Sequence, residues 1–235
     1  MYVLNIAHRG ASGRFPENTL SAFAAAIDAG AQMCELDVQP TLDGAVVVIH
    51  DDTVDRTTDG RGAVRSMTLE ELRRLDAGVS FGCEFKGERI PTLEEVMALA
   101  DRRCGLNIEL KSICIERKVC DLMVKYRALA TTMISSFDWD ALAVVRHIEP
   151  RVRVGLLASR GPTRMVAAAC ELKAESINPK ASIVTEDLCV AAHRRNLSVY
   201  TWTVDEPGEM RRLIALGVDG IMTNYPERLR GLTDD

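Results

Sequence analysis

The stretch "MCELDVQPTLDGAVVVIHDD" (residues 33–52) decides how the rest of the chain is read. It opens as a strand: Cys34, Leu36 and Val38 alternate with Glu35 and Asp37, so the two carboxylates point to one face. Asp43-Gly44 is a strong short hairpin signal, and the apolar run "VVVIH" follows it. A two-residue turn there pairs Leu42 with Ala45 and, counting outward, Asp37 with His50. The expectation is a strand running antiparallel, back onto the first, with His50 brought opposite Asp37. Two carboxylates side by side repel unless a positive charge lies between them. Glu35 and Asp37 are therefore read as part of a metal site rather than as surface acids. Oxygen ligands alone favour one hard divalent cation, Mg²⁺ or Ca²⁺.

Working outward, short apolar runs alternate with helical patterns. The runs fall at 3–8, 33–38, 105–110, 131–137, 152–158, 175–179, 198–204 and 219–224. Helical patterns fall at 19–29, 93–103, 115–129, 139–147, 162–172, 186–195 and 207–216. Such alternation predicts a parallel sheet. Eight strands in 235 residues suit an α/β, (β/α)₈ TIM-type barrel, with a doubly wound open sheet as the rival. No Pro-, Gly- or Ser-rich linker divides the chain, so 1–235 is expected to be a single domain. Residues 39–91 break the rhythm and read as an insertion over the barrel mouth, a hairpin plus a short helix. That helix lies in "MTLEELRRL", with Thr68 as N-cap and Glu71 three positions on.

Composition sets limits. The formal charge of −5 and the lack of any Lys/Arg run leave no electrostatic footprint for nucleic acid. No apolar run approaches the roughly 20 residues a membrane span needs. The N-terminal "MYVLNIAHRG" lacks a charged stretch before a long apolar core, so neither a leader nor a stable membrane anchor is expected. Seven cysteines with no C-x-x-C pair argue against a zinc cage and suggest reduced thiols in a cytoplasm, most of them small buried apolar residues.

Several further groups could carry chemistry. Glu109, in "NIELKS", ends an apolar run, and Lys111 shares its face. Alone the two would read as a structural ion pair. In a barrel, the C-terminal strand ends converge on one mouth, so Glu35, Asp37 and Glu109 would surround one cation with Lys111 beside it. His8 ends the first strand, and His50 comes to the same mouth by the hairpin count. Two imidazoles there can supply one general base and one general acid. The planar fork of Arg9 suits a phosphate. After it, Gly10 and Gly13 let the backbone turn, and Asn18 or Thr19 caps a helix whose apolar positions are Leu20, Phe23, Ala24 and Ile27.

The chain resembles the glycerophosphodiester phosphodiesterases, in particular the short bacterial type. The matching elements run in order along nearly the whole chain: "HRG" (8–10), "PENT" (16–19), "ELDV" (35–38), "VVIHDDTVDRTT" (47–58), "IPTLEEV" (90–96), "NIELK" (107–111), "TWTV" (201–204) and "DGIMTNYP" (219–226). The resemblance implies a barrel of the PLC-like phosphodiesterase type that hydrolyses a small-molecule glycerophosphodiester to sn-glycerol 3-phosphate and an alcohol. It places the metal carboxylates on Glu35, Asp37 and Glu109, the two histidines on His8 and His50, and the phosphate contacts on Arg9 and Lys111. It places pocket aromatics on Phe137 and Trp202, which could equally be barrel core. Asn196 stands where the family often has glycine, and asparagine tolerates the left-handed helix cap. Three other readings compete: a lysophospholipid-cleaving relative, a phosphate-ligand binder without turnover, and a Schiff-base lyase using Lys111.

Overall fold

The computed structural model describes residues 2–233. Among the described residues nine strands form one sheet: β1 (Leu4–His8), β2 (Met33–Pro40), β3 (Val46–Val48), β4 (Gly105–Leu110), β5 (Thr132–Ser136), β6 (Arg153–Ala158), β7 (Ser176–Pro179), β8 (Ser198–Thr201) and β9 (Gly220–Thr223). All except β3 pair in parallel, and β1 bonds to both β2 and β9, which closes an eight-stranded barrel. The helices are α1 (Leu20–Asp28), α2 (Leu69–Leu72), α3 (Leu93–Ala100), α4 (Glu116–Lys125), α5 (Trp139–Ile148), α6 (Pro162–Glu171), α7 (Glu186–His193), α8 (Pro207–Ala215) and α9 (Pro226–Thr233). No helix among the described residues is long and apolar enough to cross a membrane.

Period-two alternation along the strands sorts residues between the inside and outside of the barrel. Outward, Cys34, Leu36, Val38, Ile108, Ile134 and Leu156 join Phe23, Val96, Val119, Leu142 and Met165 of the helices in the main core. Inward, Ile6, Met33, Met133 and Met222 form a separate apolar plug. The residues two positions further along those strands are His8, Glu35, Ser135 and Asn224. The plug therefore lies under the polar groups of the mouth. Between β2 and α3, Val47, Ile49, Val54, Val64, Leu72 and Ile90 make a second small core of their own.

The hairpin register differs by one residue from the sequence count. β2 and β3 pair antiparallel, but Val38 faces Val48 and the Ile49 N–H donates to the Asp37 carbonyl at 3.0 Å. The reason lies in the turn, which uses three residues, not two. Gly44 takes φ +77, and the Ala45 N–H donates to Thr41 Oγ1 at 2.8 Å. Asp37 is thus opposite Ile49, and His50 lies beyond the end of β3.

Caps account for several element ends. Thr68 and Thr92 each form a reciprocal capping box, with Glu71 and Glu95. Thr19, not Asn18, caps α1. Asn196 adopts φ +56, the left-handed conformation expected where glycine is common. The final helix α9 had no counterpart among the helical patterns, because its start at Pro226 reads locally as a turn. The run at 198–204 forms a strand only as far as Thr201. Of the seven free cysteines only Cys34, Cys120 and Cys189 are buried, while Cys83, Cys114 and Cys170 are exposed. The expectation that most are core residues fails, since those three lie on loops or on the outer face of a helix.

Candidate active site

His8, Arg9, Glu35, His50, Glu109, Lys111, Phe137 and Trp202 line one pocket of about 110 Å³ at the C-terminal ends of the strands. Sequence adjacency explains the convergence. Parallel pairing sets His8 beside Glu35 and Asp37 beside Glu109, so three strands deliver inward-facing residues to one place. Glu35, Asp37 and Glu109 each offer an oxygen within 4.8 Å of the others. Glu35 and Asp37 are 3% and 1% exposed. Burial, with the carboxylates of Asp37 and Glu109 next, pushes the Glu35 carboxyl well above its ordinary range. Burial and the Asp37 charge push Glu109 up as well. One Asp37 oxygen, Oδ1, is buried without a hydrogen-bond partner. Surplus negative charge, an orphaned oxygen and an all-oxygen donor set together fit a hard divalent cation.

Two cations flank the carboxylates. The Arg9 N–H donates to Glu35 Oε2 at 3.0 Å, its Nη1 to Glu17 Oε1 at 2.9 Å, and its Nε lies 3.3 Å from Asp37 Oδ2. Lys111 Nζ donates to Glu109 Oε1 at 2.8 Å and sits 3.8 Å from Asp37 Oδ1. Burial works against both charges, but the surrounding carboxylates outweigh it and raise both groups. Arg9 holds φ +55, which turns its side chain back over the mouth while the chain leaves along Gly10.

The two histidines are held differently. His8 Nδ1 lies 2.7 Å from Asn224 Oδ1. Asn224 in turn donates from Nδ2 to Asp205 Oδ2 at 2.7 Å and from its backbone N–H to Asp205 Oδ1 at 2.8 Å. The amide thus turns its NH₂ to Asp205 and its oxygen to His8, and an amide oxygen only accepts. His8 therefore carries its proton on Nδ1 and leaves Nε2 as a lone pair, 4.0 Å from Glu35 Oε2. Burial, then Arg9, pushes the His8 pKa below its usual value. His50 Nδ1 lies 2.6 Å from Asp51 Oδ1, and its Nε2 lies 3.2 Å from Lys111 Nζ. Asp51 is held ionised, chiefly by its hydrogen bond to Arg56. Phe137 and Trp202 meet edge to face at 5.5 Å, with Phe137 47% exposed and Trp202 Nε1 donating to the Asn178 carbonyl at 2.7 Å.

Sequence reasoning missed the groups behind these. Asn18 Nδ2 donates to Asp37 Oδ2 at 2.9 Å. Arg56 joins Asp51 to Glu17 through four contacts of 2.7–3.1 Å, so charges alternate from Arg9 through Glu17 and Arg56 to Asp51, which contacts His50 Nδ1. Only the position of Asp51, next to His50, and the polar run "PENT" signalled them in the sequence.

Fold and site together define a barrel enzyme whose mouth gathers a carboxylate cluster, two histidines and two fixed cations. The family model for the glycerophosphoryl diester phosphodiesterase family matches residues 8–228. A glycerophosphodiester phosphodiesterase of Caldanaerobacter subterraneus subsp. tengcongensis is 43% identical over 99% of this chain and 98% of its own length. An Oleispira antarctica phosphodiesterase, solved in complex with the product sn-glycerol-3-phosphate, superposes with a TM-score of 0.91 at 30% identity, covering 100% of this chain and 97% of its own. A glycerophosphodiester phosphodiesterase of Agrobacterium tumefaciens superposes at 0.88 and 30% identity, over 98% and 100%. The chain belongs to the glycerophosphoryl diester phosphodiesterase family.

Proposed function

We propose that this chain hydrolyses small glycerophosphodiesters to sn-glycerol 3-phosphate and an alcohol, as a single domain acting in the cytoplasm with one Mg²⁺ or Ca²⁺. The observation that carries this reading is the meeting of three carboxylates, two histidines, Arg9 and Lys111 in one pocket. Glu35, Asp37 and Glu109 would hold the cation, which when bound supplies Lewis-acid charge at the phosphoryl oxygens. Arg9 and Lys111 bind the phosphate and offset the negative charge that grows on it.

His8 acts as base. Its Nε2 lone pair takes the proton of the attacking water as the new P–O bond forms; where the glycerol 2-hydroxyl attacks instead, the first product is a cyclic phosphate, which water then opens to sn-glycerol 3-phosphate with the two histidines in exchanged roles. His50 acts as acid and gives its proton to the alkoxide as the old P–O bond breaks. The partners differ between the two rings and support this division: a neutral amide orients His8, whereas a carboxylate, Asp51, orients His50 through Nδ1. The 39–91 insertion contributes His50 to the pocket. Phe137 and Trp202 form the apolar wall.

The test is release of sn-glycerol 3-phosphate from a panel of glycerophosphodiesters with Mg²⁺, Ca²⁺ or chelator. Turnover with either cation and its loss in chelator are expected. Chelator-insensitive turnover would remove the cation from the reading, and borohydride trapping of Lys111 would replace it with Schiff-base chemistry.

A further inference from the structure

At the base of the mouth the barrel holds polar atoms that nothing described so far uses. Asn107, on β4, is 1% exposed, and neither its Oδ1 nor its Nδ2 has a protein hydrogen-bond partner. Ser135, on β5, is 0% exposed, and its Oγ is also unpartnered. Both line the same pocket as His8 and Glu109. Register explains the grouping: Asn107 is the strand neighbour of Glu35, and Ser135 of Glu109. Gly155, beside Ser135 on β6, adds no side chain to crowd them. The apolar plug of Ile6, Met33, Met133 and Met222 lies beneath, so the pocket ends at this pair.

A buried amide or hydroxyl without a partner costs stability, and native structures rarely keep one unless a ligand or water completes it. Here three such atoms stand together. A cation would satisfy Asn107 Oδ1 alone and leave Nδ2 and the serine hydroxyl unpaired. A phosphate, which only accepts, would leave Oδ1 unpaired and would face Glu35 and Glu109. A hydroxyl both donates and accepts, and so matches an amide with one of each and a serine that serves as either.

We infer that Asn107 and Ser135 form a hydroxyl-reading floor that takes the terminal hydroxyl of the glycerol half of the substrate, the one furthest from phosphorus. This rests on the phosphodiesterase reading of the site. The glycerol end enters first, towards a blind floor in a pocket of about 110 Å³. The alcohol points outward past the exposed Phe137 ring. The enzyme is then strict about the glycerol half and tolerant of the leaving alcohol.

The experiment compares sn-glycerol 3-phosphate with propane-1,2-diol phosphate, which lacks only the terminal hydroxyl. Binding is measured by calorimetry on the cation-loaded enzyme, and kcat/KM on the corresponding choline diesters. The wild type is expected to favour the glycerol compound by about 100-fold in both measurements. In Asn107→Leu and Ser135→Ala that preference falls towards unity. Asn107→Leu is also expected to melt no lower than the wild type, because it removes unpaired buried atoms, whereas an asparagine kept for the fold would lower Tm. Equal affinity of the wild type for the two phosphates, or an unchanged preference in both variants, overturns the floor. Discrimination in binding without turnover of either diester would instead leave the floor standing and refute the phosphodiesterase reading.

Discussion

At the scale of single residues, the site is organised by what stands behind each reactive group. His8→Ala and His50→Ala are each expected to lower kcat by about 10²- to 10⁴-fold, measured as glycerol 3-phosphate release. Full activity in either variant would remove that histidine from the mechanism. Glu17 gives a pH signature. Burial alone would raise its pKa, but hydrogen bonds and charges from Arg56 and Arg9 overcome this and hold it at about 2. A carboxyl depressed on folding contributes stability that is present above its ordinary pKa and lost as pH falls through the folded one. The Tm gap between wild type and Glu17→Gln should therefore be widest above about pH 4.5 and close as pH drops towards 2, followed by circular dichroism. The residues that meet in the pocket were legible in the sequence because they lie within or just beyond the apolar runs that become strands. Asn18, Glu17, Arg56, Asp205 and Asn224 were not, because their partners lie 19 to 216 positions away in sequence or belong to loops with no periodicity.

At the scale of elements, local rules gave the strands and most helices. Capping residues and apolar spacing located α1 and α2, and the helical pattern alone located α3, each within a few residues. The hairpin shows where such rules stop: Asp43-Gly44 signals a turn, but whether the loop has two residues or three depends on Thr41 and on Asp43 Oδ1 accepting from the Leu69 N–H at 3.0 Å, a contact formed only in the folded chain. The link from β1 to α1 is the least forgiving element. Gly10 holds φ +81, and a Cβ there would stand 2.6 Å from the Ala22 carbonyl carbon. Gly10→Ala should cost more than the ~1–2 kcal/mol of a left-handed backbone alone, read by urea titration. It should also lower activity, because Arg9 moves with it. Phe23, 1% exposed on the buried face of α1, should cost about 3–5 kcal/mol on truncation to alanine and leave the site's chemistry in place.

At the scale of the whole molecule, barrel closure turns dispersed motifs into one mouth. That outcome was legible because eight strand–helix units leave few other topologies. The proposed cation belongs to this scale too, since β2 and β4 would supply its ligands together. Mg²⁺ or Ca²⁺ at ~100 times its Kd should raise Tm by about 5–10 °C in differential scanning fluorimetry. The rise should be larger at pH 7 than at pH 5, because protons on the raised Glu35 and Glu109 carboxyls compete with the ion. Loss of the shift in Asp37→Asn would place the ion at this cluster. The alternating run from Arg9 through Glu17 and Arg56 to Asp51 has a consequence for inheritance. Its members come from two segments, one after β1 and one after β3, so these must be passed on together. In chimaeras between relatives, a crossover between positions 17 and 51 yields an active enzyme only when both parents carry the same acid–base partners at 17, 51 and 56. A crossover outside positions 9–56 is free of that restriction.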